Sequence, residues 1–381
     1  MQFSLRNASL GALVGELQEQ QDRKQDLIVP ARDLWSREGR VFVRGAGEPV
    51  LTADGVTPTH LELDPTAIYD EGVAAKTGLP RNFLRTLRET GRTDLVDANF
   101  NGLLHGNKTL EVPGDDRRFM LRTFKGQDGE SGRARALLSD SFRTIDNWDV
   151  LMATLAGMRA AGLDAHTVRA ADLTDRRMYV KIVAPEIQAL APELLKNYRS
   201  PFSGASGADN PTVFAGFVLS NSETGGGAFT ITPRLEVQVC SNGMTITKDA
   251  VRRTHLGSKA EEDGVVQYSD ATQRKNLELI TLQTKDAVTT FLNADYMNAA
   301  IRKIEAKAGA PVSRPQEVVQ AIVKREAFTK GDVDGLLDHF IKGGDMTAGG
   351  VFGAITSYAQ TVADADRAYL MEADALSAAG L

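Results

Sequence analysis

The sequence predicts an α+β protein in which an antiparallel β-meander packs against long helices and a mainly helical third follows. Three observations predict it. Residues 213–248 alternate with the two-residue period of strands and reverse direction twice. Residues 270–292 place Leu277, Ile280, Thr284, Val288 and Phe291 along one side at helical spacing. Beyond residue 294 every apolar pattern is helical. Strands near 177–183, 213–220 and 228–248, then the helix from Asp270, give a β-β-β-α order.

A chain of 381 residues is long for one core, and the units expected are 1–112, 113–293 and 294–381. Hydrophobic and charged fractions of 42% and 25% are those of a folded protein, which excludes gross disorder. A net charge of −6 excludes coating of duplex DNA by bulk electrostatics, but a local basic groove answers to the local field. The one cysteine, Cys240, excludes an internal disulfide and reads as a small buried side chain. A reducing, cytoplasmic setting fits it. The N-terminus lacks a basic flank and apolar core, and no apolar run approaches the ~20 residues of a membrane helix. No membrane partner is expected.

Leu10, Leu13, Val14 and Leu17 mark an amphipathic first helix. Val41-Phe42-Val43 and Val50-Leu51 read as short strands, and Asp64-Pro65 reads as a helix start of cap followed by first-turn proline. From Ile68 a helix runs to Lys76, breaks at Gly78 and resumes through Phe83, Leu84 and Leu87. Ala74, Gly78, Leu84 and Leu87 sit where a helix-turn-helix keeps its small, turn and core residues. As a DNA reader it would present Arg81, Asn82, Arg85 and Arg88. Two helices packed around a turn explain the spacing equally.

A second hairpin is expected from Arg118–Phe124 and Arg133–Ser139. Period-2 alternation puts Arg118 and Arg122 on one face, and Arg133 and Arg135 on one face of the partner. If those faces coincide, a sheet surface carries four arginines, with Arg117, Lys125 and Arg143 nearby. That surface is either solvated or phosphate-tracking. Asp146-Asn147 caps the next helix, residues 177–183 form a strand closed by Pro185, and 199–212 is loop.

Around the meander, Phe229, Ile231, Leu235, Val237 and Val239 alternate with Thr230, Thr232, Arg234, Glu236 and Gln238, the pattern of a half-buried strand. Asn242-Gly243 supplies the turn of the following hairpin. Lys248, Arg252, Arg253, His255 and Lys259 then crowd into twelve residues with Asp249 as their acid. Two readings stand: phosphate contact, or a surface loop neutralised by Glu261-Glu262-Asp263. The Asn221–Gly227 loop is read as structural or as wrapping a ligand.

Metal and cofactor chemistry has little support. The five histidines are scattered, no second His or Cys stands at ligand spacing, and Gly225-Gly226-Gly227 lacks the rest of a phosphate loop. Asp140, Asp146 and Asp149 form a carboxylate trio that could hold magnesium, although helix capping explains Asp146 without a metal. No catalytic residue, metal ligand or cofactor is assigned.

The stretches around Asn221-Ser222-Glu223-Thr224-Gly225 and Cys240-Ser241-Asn242-Gly243, with ALLSDSFRTIDNWDVL upstream and His255-Leu256-Gly257 after, resemble a phage- and plasmid-borne family of unknown function. The resemblance runs from about Asp26 to the C-terminus, more loosely over the last hundred residues. It brings no activity and no catalytic residues, but it implies a mobile-element setting of replication, recombination or host take-over. The strand–helix order also resembles the core of the single-strand annealing recombinases, the Rad52-like proteins of many phages. They hold single-stranded DNA in a basic groove of an oligomeric ring. The expectation is a cofactor-free, oligomeric protein binding single-stranded DNA through Arg118, Arg122, Arg133, Arg135, Lys248, Arg252, Arg253, His255 and Lys259. Its rivals are a self-assembling or host-interaction protein and a metal-dependent nuclease.

Overall fold

A computed structural model describes residues 4–47, 51–53, 55–56, 59–127, 130–142, 145–239, 242–253 and 270–381. The expected contributions of Cys240, His255, Lys259 and Arg143 lie outside these residues. The strands are β1 (Ser4–Ala8), β2 (Lys24–Pro30), β3 (Leu34–Arg37), β4 (Arg40–Arg44), β5 (Leu51–Thr52), β6 (Gly55–Val56), β7 (His60–Pro65), β8 (Arg118–Phe124), β9 (Gly132–Ser139), β10 (Val168–Thr174), β11 (Met178–Leu190), β12 (Thr212–Asn221), β13 (Phe229–Val237), β14 (Asn242–Thr245) and β15 (Val251–Arg253). The helices are α1 (Leu10–Arg23), α2 (Ala67–Thr77), α3 (Arg81–Glu89), α4 (Thr93–His105), α5 (Asn147–Ala160), α6 (Pro192–Leu195), α7 (Asp270–Phe291), α8 (Ala294–Ala308), α9 (Pro315–Ile322), α10 (Val333–Gly343), α11 (Ala348–Thr361) and α12 (Ala365–Ala379). The molecule thus mixes helix with antiparallel sheet and ends in a helical region.

Seven strands form the larger sheet in the order β1-β10-β11-β12-β13-β14, with β15 also beside β13. Leu173, Val180, Ile182, Phe217, Leu219 and Ile231 of this sheet pack on α1, α5 and α7. Val213, Ala215, Leu235 and Val237 belong instead to a core shared with α6 and α8–α12. The smaller sheet runs β2-β8-β9-β7-β4-β3, antiparallel except for the β7–β9 pair, and α2–α4 cover it through Tyr69, Val73, Leu84, Leu87, Val96 and Phe100.

Several expectations change on inspection. Asp64 and Pro65 end β7 and pair with Arg133 and Ala134, and the cap of α2 is Thr66, whose hydroxyl accepts from the Tyr69 N–H. Pro185 does not close its strand. Pairing with β12 skips from Ala184 to Gln188, so the proline sits in an irregularity where its missing N–H is tolerated. Asn242 and Gly243 lie within β14, opposite Val237 and Glu236, so the hairpin reverses earlier than expected. The helix expected over 351–375 is two helices, with Asp364 capping the second.

The alternation of β13 is present, but all nine of its residues are buried. α12 accounts for this: Glu372 receives a hydrogen bond from Arg234, and Tyr369 packs on Tyr179 and Val218. The expected boundary at 112/113 falls inside the small sheet, since β8 and β9 complete it.

Candidate nucleic-acid interface

The two basic hairpins lie on different sheets. β8 and β9 sit in the small sheet, whereas Lys248 and Arg252 lie at the β14/β15 edge of the large one. The arginines of the first hairpin are also divided among themselves. Arg122 pairs with Ala136 but Thr123 pairs with Ala134, leaving Arg135 as the extra residue of a bulge. Local alternation therefore fails at the point where a four-arginine face was expected.

Arg122 is fully buried (0% exposed) and Arg135 is 6% exposed. Arg122 donates to Asp26 at 3.0 Å, to Asp146 Oδ1 at 2.7 Å and to the Glu223 carbonyl at 2.7 Å. Arg135 donates to Glu223 Oε1 at 2.5 Å and lies over the Phe124 ring, 3.9 Å from its centroid. Lys24 holds the other Asp146 oxygen. Three cations thus face three carboxylates at the junction of the two sheets. Neither arginine is placed to meet a phosphate, because a buried guanidinium keeps its carboxylates. Arg118 is exposed and 3.3 Å from Asp140, and Arg133 is half-buried on β9.

Glu223 also reorganises the start of α5. Asp146 stands at the cap position but its side chain makes no capping bond. Glu223 Oε2 instead accepts the Asn147 N–H at 2.9 Å. Burial alone would raise the Glu223 carboxyl, and the adjacent Arg135 and Arg122 outweigh it to hold the group below its ordinary range. Asp146 is shifted the same way: Arg122 and Lys24 overcome its burial. Half-buried Asp149 is raised by burial and by the Asp146 charge.

The resemblance-bearing loop is built into this junction. Asn221 Nδ2 donates to Ile145 O at 3.0 Å and to Asn147 Oδ1 at 2.8 Å. Ser222 Oγ donates to Arg176 O at 2.7 Å and accepts from Gly226 N at 2.8 Å, and Arg177 Nε donates to Gly226 O at 3.0 Å. Gly225 adopts φ +83°, which favours glycine. Asn221, Ser222, Glu223 and Thr224 are all buried, so the loop joins the sheets rather than offering a free surface.

The second cluster is different in kind. Lys248, in a short turn after β14, and Arg252, beside Thr230 on β15, are exposed. Neither makes an ion pair among the described residues. Asp249, the acid between them, accepts the Tyr296 hydroxyl at 2.7 Å. The backbone of Arg253 pairs with Phe229.

Asp140, Asp146 and Asp149 do not make a metal site: Asp140 faces Arg118, and both Asp146 oxygens are held by cations. Among the described residues no group of three His, Cys, Asp or Glu side chains could hold a metal, and no helix is long and apolar enough to cross a membrane. Comparison with family models, curated proteins and solved structures finds no match to this chain.

Proposed function

We propose that this chain is a non-catalytic nucleic-acid-binding protein that holds single-stranded DNA along the β14/β15 edge of its large sheet. The observation that carries the reading is the pair of exposed cations, Lys248 and Arg252, at a sheet edge whose intervening carboxylate is engaged by Tyr296. The sequence continues basic through Arg253, His255 and Lys259. Contacts of this kind grip the sugar–phosphate chain and leave bases free to pair with an incoming strand, the requirement for annealing. The meander order and the mobile-element resemblance support the same reading.

Fluorescence anisotropy of a labelled oligonucleotide tests it. Binding at low salt should weaken as log salt rises, with a slope near −0.7 per phosphate neutralised. Lys248→Glu together with Arg252→Glu should weaken binding at least tenfold while circular dichroism stays unchanged. Absence of binding at low salt would reject the proposal.

One observation favours a second reading, a self-assembling protein. Leu279 and Leu282 are 42% and 51% exposed, three residues apart on α7. Light scattering separates the two, because a large assembly indifferent to DNA belongs to the second.

A further inference from the structure

The geometry points to Tyr296 as a positioning residue for the sheet edge: through Asp249 it keeps Lys248 and Arg252 available to phosphate. This role rests on the single-strand reading above. Asp249 follows Lys248 directly and precedes Arg252 by three residues, in an exposed turn between β14 and β15. A carboxylate so placed is the natural counter-ion of both cations. It accepts the Tyr296 hydroxyl instead, at 2.7 Å, and neither cation makes an ion pair among the described residues. The phenol thus holds the acid on the α8 side of the turn. Released, the carboxylate would compete with a phosphate for Lys248 or Arg252 at contact distance.

The phenol is itself held in place by its helix. Asn293 caps α8 by accepting the Asp295 and Tyr296 N–H groups at 2.8 and 3.3 Å, which fixes where the helix begins. Met297 and Ile301 then enter the core shared with the large sheet. Tyr296 is left half-buried, its ring 5.7 Å from that of Phe291. Burial first, and then the Asp249 carboxylate, push the phenol well above its ordinary value, so it remains a donor wherever DNA is bound. The turn is anchored on the sheet side as well. The Ile246 N–H donates to Pro233 O at 2.9 Å, and Val251 packs against the core that contains Phe229 and Ile231. Lys248 therefore projects from a backbone tied down on both sides, which is how a supporting shell fixes a contact residue.

The test is anisotropy of labelled single-stranded DNA with the full chain across a salt series. Tyr296→Phe keeps the ring and removes only the donor. It should weaken binding roughly two- to fivefold and flatten the slope of log K against log salt by about 0.7, the share of one phosphate. Asp249→Asn should bind at least as tightly as the unaltered chain, because no charge is left to compete. Tyr296→Phe combined with Asp249→Asn should match Asp249→Asn alone, a rescue that mere loosening of the turn does not give. Unchanged affinity and slope in Tyr296→Phe, or a loss that Asp249→Asn does not restore, overturns the inference. If Lys248→Glu with Arg252→Glu still weakens binding in that case, the sheet-edge reading stands without it. No binding of single-stranded DNA at low salt overturns both.

Discussion

Removing the Glu223 carboxylate would leave Arg135 buried without a counter-charge and the Asn147 N–H without its acceptor. Glu223→Ala should therefore cost about 3–5 kcal/mol in denaturant unfolding, the range for breaking a buried pair from one side. Its pH dependence has a definite sign. Glu223 and Asp146 both titrate below their ordinary values in the folded chain, so the unfolded chain takes up protons first. Stability from them is complete above about pH 4.5 and falls as the pH drops, and Glu223→Ala should flatten that acid limb. Little of this was legible in the sequence. Arginine is a surface residue by default, and the partners of Arg122 stand 96 and 101 positions away at Asp26 and Glu223. Asn221 and Glu223 stood out through a resemblance, not through any local pattern that shows what they touch.

Elements whose periodicity is set by their own core faces were legible: β12, β13 and α7 lie close to where alternation and helical spacing put them. Ends set by tertiary pairing were not, as Thr66 replacing Asp64 at the start of α2 illustrates. The polar side of β13 misled because Glu372, the partner of Arg234, is 138 positions away on α12. Close approach of α5 and α7 has a similar hidden cause. A Cβ on Gly157 would stand 2.5 Å from the Thr281 carbonyl oxygen and 2.7 Å from Thr284 Cβ. Gly157→Ala should push the two helices apart and cost roughly 1–3 kcal/mol, read as a lower denaturant midpoint.

Across the whole molecule, the helical region from residue 294 is not a detachable unit. Its core includes Val213, Ala215, Leu235 and Val237 of the large sheet, and Glu372 neutralises buried Arg234. A chain ending at Leu292 should lack a cooperative thermal transition and aggregate on sizing, whereas an independently folded remainder would contradict the shared core. The same joining separates the basic residues by task. Arg122 and Arg135 fasten one sheet to the other, and Lys248 and Arg252 remain outward on a different sheet. Photo-crosslinking of a halogenated single-stranded oligonucleotide, mapped by mass spectrometry, tests that separation most directly. The account predicts crosslinked peptides spanning residues 246–253, lost in Lys248→Glu with Arg252→Glu; crosslinks confined to the 118–139 hairpin would contradict it.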